Sequence, residues 1–378
     1  MADAPRIGGA EQYLATVAAG AAAAGHAVRV VTPQDDLLDL LRTSVPAADL
    51  VRAGSAGYAT APDPARRLAH LGAAAAAVSA AVTRGRPQVL HLNNGGYPGS
   101  DLVRMTAIAA PVPRAARRAM SVHSVPWSRE EAGPRVQEVS DRALWPRLGA
   151  VVGATTIVGD ALRDLRGLPA GRYRRIPYGV EAPAGADAAG AIRERYAGPE
   201  DLLVGMVSAT ADPGKGHAVL AEAIAEADER VRAVVIGADP GEAFRAALAS
   251  RGIADRVAIA GRVPEVGPYL HAIDALVVPS TEFESLPLVI LEAMGAGRPV
   301  FGSRLAGIPE AIDDGVTGAL FEPGDAAALS VLLGDAARDR AALAAKGRAG
   351  RLRWEERFSR AAMVAAVLAL YDELAPVH

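Results

Sequence analysis

At 378 residues, with 51% apolar and 22% charged side chains, the chain exceeds what one hydrophobic core ordinarily serves and is far from a disordered composition, so two folded domains are expected. A formal net charge of −3 supplies no basic field to gather a polyanion, which argues against nucleic acid as a partner. Cysteine is absent, which excludes disulfides, thiolate metal sites and a cysteine nucleophile together. Residues 1–9 do not read as a signal peptide, so a cytoplasmic protein is expected.

Short Val/Leu/Ile runs alternate with Ala-rich helical stretches along the whole chain, the pattern of βαβ units and parallel sheets. In the first half, strands are predicted at 28–32, 89–92, 119–122 and 151–153. In the second half they are predicted at 203–207, 233–237, 257–260, 275–279 and 299–302. Both halves read as doubly wound α/β domains, 1–180 and 181–358, with a last helix at 359–378 crossing back onto the first. The Pro- and Gly-rich stretch 180–198 reads as the hinge. A ligand held by two such sheets is expected in a cleft between their facing carboxyl edges. One feature conflicts with this plan. Gly8-Gly9-Ala-Glu11 has the form of a strand-to-helix turn, yet residues 1–7 contain little strand-forming sequence. A missing first strand would leave a gap in the sheet with open ladders on both sides, so a shortened start or a local rearrangement is expected.

The strongest chemical signal is the segment Pro279-Ser-Thr-Glu-Phe-Glu-Ser-Leu-Pro-Leu-Val-Ile-Leu-Glu-Ala-Met-Gly-Ala-Gly-Arg-Pro299. Pro287 suits the first turn of a helix, so 288–296 is predicted helical, with Glu284 in the loop before it and Glu292 inside it. The free amides and positive end of that helix, near Ser285, Leu286 and Leu288, suit diphosphate oxygens, while carboxylates suit pairs of sugar hydroxyls. Taken alone, the two glutamates are as well explained as solvated surface charges.

Their surroundings carry a resemblance. Glu284, seven intervening residues, Glu292, Ala293-Met294 and Gly297-Arg-Pro299 are similar to the Glu-x7-Glu string of the family 4 retaining glycosyltransferases of the GT-B fold. The likeness extends to Gly8-Gly9, expected to approach the donor diphosphate with backbone amides. It includes Asp212-Pro-Gly-Lys-Gly216, with Lys215 as the cation on the departing diphosphate, and Gly261-Arg262-Val263, expected at the nucleobase. Lys215 is one of only two lysines, the other being Lys346, which draws attention to it. In the first domain His123 resembles the family's strand-end histidine beside the reacting sugar. The amide-rich loop with Asn93, Asn94 and Tyr97 is a candidate acceptor site, or equally a buried turn held by Asx hydrogen bonds.

The resemblance implies transfer of a sugar from a nucleotide-sugar donor with retention of configuration and with neither metal nor cofactor. The acceptor is open: a small natural product, a saccharide or a lipid-linked sugar, with at most peripheral membrane contact through the Arg114, Arg117 and Arg118 cluster. Catalysis here means stabilising charge that grows on the leaving phosphate. The family's Gly-Arg-Leu before the lysine turn is replaced by Val207-Ser-Ala-Thr-Ala-Asp212, leaving Arg304 or Arg6 to supply that charge or donor binding weaker. Binding without transfer, and a GT-B-fold 2-epimerase, are the alternatives.

Overall fold

The structure, a computed structural model, describes residues 9–53, 63–109, 117–126, 134–282 and 285–376. It divides into two compact units, one of Met1–Tyr178 with Met363–His378 and one of Gly179–Ala362.

In chain order the first unit contains α1 (Gly9–Ala23), β1 (Arg29–Thr32), α2 (Asp35–Ser44), β2 (Asp49–Arg52), α3 (Pro64–Gly85), β3 (Val89–Asn94), α4 (Asp101–Ala109), β4 (Arg117–Val122), α5 (Pro134–Leu144), β5 (Ala150–Gly153), α6 (Thr156–Arg166) and β6 (Tyr173–Arg175). Its strands form two separate parallel sheets, β1-β2 and β3-β4-β5-β6. Among the described residues no strand lies between β1 and β3. Helix ends follow local chemistry. Asp63 caps α3 by accepting from the Arg66 amide with Pro64 at the first position, and the helix stops where Arg86 turns left-handed.

The second unit contains α7 (Ala189–Tyr196), β7 (Leu202–Ser208), α8 (His217–Glu226), β8 (Val231–Gly237), α9 (Glu242–Ser250), β9 (Val257–Gly261), α10 (Gly267–Ala272), β10 (Ala275–Val278), α11 (Leu288–Gly295), β11 (Val300–Ser303), α12 (Ile308–Ala311), β12 (Gly318–Phe321), α13 (Ala326–Arg338) and α14 (Arg340–Arg357). Six parallel strands run in the order β12-β11-β10-β7-β8-β9. Leu202, Val204 and Val235 pack under Leu220 and Ile224 of α8 and Leu329 and Leu333 of α13. Strands covered on both faces have no exposed side, which is why they read as unbroken apolar runs.

The final helix, α15 (Arg360–Leu374), lays Met363, Val367 and Leu370 against Tyr13, Val17, Ala150 and Val152 of the first unit. The stretch predicted as a hinge differs from expectation. It carries α7, held within the second unit by an Arg193–Asp274 ion pair at 2.9 Å and by Tyr196 near Tyr269.

Candidate donor and acceptor sites

In the second unit the chain runs from β7 outward through β8 and β9, then returns to place β10 on the other side of β7. The loops after β7 and β10 thus diverge at the carboxyl edge, the position where open α/β sheets hold ligands. The first loop ends in a 3-10 turn, Pro213–Lys215, in which the Asp212 carboxylate accepts from the Gly214 amide at 2.8 Å. Gly216 then enters α8 with φ of 81°, and a Cβ there would lie 1.8 Å from the Pro279 carbonyl oxygen. Only glycine allows so close an approach.

The two loops are joined directly. The Gly214 carbonyl accepts from the amides of Thr281 at 2.8 Å and Glu282 at 3.3 Å. Half-buried Lys215 is consequently fixed beside the segment leading to α11. That helix starts at Leu288 after Pro287, as the sequence predicts. Leu286 is buried, and the Ser285 hydroxyl is buried with no partner among the described residues. Glu284 lies outside the described residues, as do Gly8 and Arg6. Glu292 is half-buried on the second turn of α11, and burial alone raises its carboxyl above the usual range. Among the described residues its carboxylate has no hydrogen bond or ion pair, so the acceptor capacity of that group is unspent.

At the neighbouring corner, exposed Arg262 donates to the Ala209 carbonyl at 3.3 Å, and half-buried Val263 follows it. This brings a guanidinium to the loop after β7 where the resemblance led us to expect an arginine. Arg304 does not fill that place, because its guanidinium pairs with both Asp314 at 2.7 Å and Glu322 at 3.3 Å.

The first unit places His123 just beyond β4, with Asn93 on β3 beside it. Asn93 Nδ2 donates to the Ala10 carbonyl at 2.9 Å, so its Oδ1 faces the imidazole at 2.7 Å and receives the Nε2 proton. His123 Nδ1, left as an acceptor, lies 3.1 Å from the Tyr178 hydroxyl, which also donates to the His123 carbonyl at 3.1 Å. Burial pushes His123 down to about 3, so the ring is neutral and serves as a positioned hydrogen-bonding group. In the same loop the other two acceptor candidates have the buried-turn arrangement that the sequence left equally open. Asn94 is fully buried, its side chain bonded to the Gly96 carbonyl and to the Ser100 amide at 2.8 Å. Tyr97 is buried too and donates to Asp141 at 2.6 Å. Both hold the turn, and Asn93 orients His123. Gly9 opens α1 exposed, with nothing among the described residues within 4 Å of an added Cβ.

Sequence reasoning missed His91. Ser121 Oγ donates to the Tyr13 hydroxyl at 3.3 Å and accepts from His91 Nε2 at 2.7 Å, and Tyr371 of α15 donates to His91 Nδ1. Burial holds this imidazole down to about 4. The chain of bonds ties α15 to the sheet. Its place on β3 was readable; its partner 280 residues away was not.

Residues 7–182 match the profile described as Glycosyltransferase Family 4, and residues 201–339 match that of Glycosyl transferases group 1. The D-inositol 3-phosphate glycosyltransferase of Xylanimonas cellulosilytica is 30% identical over 59% of this chain and 58% of its own length. The GDP-mannose-dependent alpha-(1-6)-phosphatidylinositol monomannoside mannosyltransferase of Mycolicibacterium smegmatis is 32% identical over 48% of this chain and 52% of its own. The chain thus spans little more than half the length of either relative. Among solved structures, Anabaena HepE in complex with UDP superposes with a TM-score of 0.76 at 19% identity, covering 98% of both chains. A glycosyltransferase from Rickettsia africae gives 0.79 at 17%, covering 98% of this chain and 96% of its own. These likenesses show the fold.

Proposed function

Because the chain belongs to glycosyltransferase family 4 and has the GT-B fold, we propose that it transfers a glycosyl group from a nucleotide-sugar donor to an acceptor, retaining configuration and using no metal. The observation that carries this reading is the pair of loops joined through the Gly214 carbonyl, which sets Lys215, the Ser285 hydroxyl and the unspent Glu292 carboxylate around one strand edge. Lys215 and the amides opening α11 oppose charge on the leaving diphosphate, while Glu292 accepts donor hydroxyls. Glu284 takes the hydroxyls of the transferred sugar in this reading, and neutral His123 donates or accepts hydrogen bonds rather than titrating. A cytoplasmic location belongs to the same proposal, supported by the absence of cysteine.

The test is a panel of UDP-, GDP-, ADP- and dTDP-sugars, offered with acceptors that include D-inositol 3-phosphate. UDP-sugars lead the panel because UDP is the ligand named for the Anabaena structure. We expect saturable binding of one nucleotide class and acceptor-dependent release of its diphosphate, with the product's anomeric configuration matching the donor's and EDTA without effect. Binding with neither hydrolysis nor transfer to any acceptor would refute the activity. Within that assay Glu284→Gln should reduce turnover by about 10- to 100-fold at unchanged Tm, the loss of hydrogen bonds to a charged partner. Unchanged turnover would remove Glu284 from the site.

Glu292 gives a prediction of opposite signs for stability and binding. Its folded-state carboxyl is raised by burial, so in the empty protein this group favours folding at low pH and costs stability as pH rises through its raised value. Glu292→Gln should therefore melt above the unmodified chain at about pH 8, the gap closing toward about pH 4 where the unfolded carboxyl protonates. The same variant should bind nucleotide-sugar roughly tenfold more weakly. Thermal melts across pH, with and without donor, read both effects. A variant that melts lower at every pH would contradict the assignment.

A further inference from the structure

The four-stranded sheet of the first unit has two unlike faces. Side chains alternate along a strand, so Leu92 of β3, Met120 and Val122 of β4 and Val151 of β5 fall together on one face, in an apolar cluster with Val158 and Leu162 of α6. On the opposite face β5 supplies Ala150 and Val152 to a cluster with α1 and α15. There β3 and β4 bear His91, Asn93, Ser121 and, just past the strand end, His123. Their spacing repeats. His91 lies opposite Ala119 and Asn93 opposite Ser121, and each bonds to the side chain two places further along, His91 to Ser121 and Asn93 to His123, both at 2.7 Å.

Three tyrosines close over this polar seam. Tyr371 of α15 donates to His91, and Tyr13 of α1 accepts from Ser121 at 3.3 Å. The Tyr13 ring stands edge-on to the His123 imidazole, with centroids 4.8 Å apart at 66°. The Tyr178 ring stacks on the same imidazole at 5.8 Å and 18°. His123 is thus held by two rings and, at Nε2, by Asn93. Burial keeps both imidazoles neutral near pH 7, so each has one donor and one acceptor nitrogen. Apolar side chains alone fill the other face at this level, and enclosed polar groups cost stability unless each is satisfied. A seam bought at that cost, with its contacts ending at His123, points to a task at that ring.

We propose that Tyr371 and Tyr13 are positioning residues for the transfer step: the Tyr371 hydroxyl pins His91, His91 pins the Ser121 hydroxyl, Ser121 holds the Tyr13 phenol, and the Tyr13 ring fixes the orientation of the His123 imidazole. The inference rests on the placement of His123 beside the reacting sugar. It makes the geometry of that ring depend on a hydroxyl of α15, 248 positions further along the chain by its number.

The test uses the full chain with Tyr371→Phe, Tyr13→Phe and both, each alone and combined with His123→Ala. Every single change to Phe deletes one hydroxyl and keeps the ring, so Tm should fall by no more than about 4 °C. In imidazole nitrogen NMR spectra of the ligand-free protein, both changes should shift the His123 resonances and Tyr371→Phe those of His91 as well, with His217 and His271 of the second unit unmoved. With the donor that the nucleotide-sugar panel selects, kcat should fall about tenfold while the donor KM stays within about twofold. A purely structural role would lower Tm and leave kcat alone. Where His123→Ala is already present, the added loss should be within about twofold, because both hydroxyls act through one ring. His123 resonances unmoved by both Phe variants would overturn the proposal whatever the turnover. A loss of about tenfold that persists without the imidazole would overturn it too, since the effect would then reach the site by another route. Unchanged turnover in His123→Ala alone is a different failure: it would remove His123 from the reacting sugar, and the proposed role in transfer with it, while the resonances still report whether Tyr13 holds the ring.

Discussion

Lys215→Ala is expected to lower kcat/KM by about 10²- to 10³-fold, the cost of removing one preorganised donor from a developing oxyanion. The loss should fall mainly on kcat if the ammonium meets charge that grows as the glycosyl bond breaks, because ground-state contacts alone would move KM. The turn itself does not depend on the side chain: Asp212 caps it through the Gly214 amide, and the Gly214 carbonyl receives Thr281 and Glu282. Tm should accordingly stay within about 1 °C, since mutations away from such features change stability little. Lys215→Arg tests geometry against charge, since guanidinium keeps the cation but presents it as a planar fork. We expect Arg to recover less than about a tenth of the lost rate. Steady-state rates for both variants decide the matter, and a kcat within about threefold of the unmodified chain would exclude Lys215 from leaving-group stabilisation.

What was legible in the sequence follows from burial. Strands β7, β8 and β10 are covered on both faces, so their apolar runs announced them, and Pro287 marked the start of α11 because its missing amide costs nothing there. Three edge strands were not foreseen. β2 ends in Asp49 and Arg52, β6 is Tyr-Arg-Arg with Arg174 bonded to Glu373, and β12 follows a turn that dominated its neighbourhood. An edge strand is half solvated and need not be apolar. In the candidate site, residue types pointed to the Lys215 turn and to the start of α11. The carbonyl that joins them could not be read, since Gly214 and Thr281 lie far apart in sequence and meet only when β10 returns beside β7. The loop at 93–100 left two readings open for the opposite reason. Amides and a tyrosine serve a sugar or a buried turn equally well, and only depth in the core distinguishes the two.

That buried turn leads to the largest stability effect we expect. Asp141 and Arg166 are both fully buried and paired at 3.0 Å, and Asp141 also accepts from Tyr97. The guanidinium reaches Gln137 at 2.7 Å and lies 4.8 Å from the Tyr97 ring, which stacks on Trp145. Burial first, then the Asp141 charge, keep the Tyr97 phenol protonated far above its ordinary value, so it remains a donor throughout the accessible pH range. Asp141→Ala leaves a guanidinium in the core without its counter-ion and a phenol without its acceptor. Breaking such a pair from one side costs about 3–5 kcal/mol, which for a unit of this size corresponds to a Tm lower by roughly 10 °C. The double change Asp141→Leu with Arg166→Met removes both charges and keeps apolar volume, so it should recover most of that loss. The comparison separates an uncompensated charge from mere lost packing, because packing losses would add whereas the charge penalty cancels. Denaturant midpoints for the single and double variants measure it, and a double variant less stable than Asp141→Ala would show that the polar cluster contributes more than the desolvation it suffers.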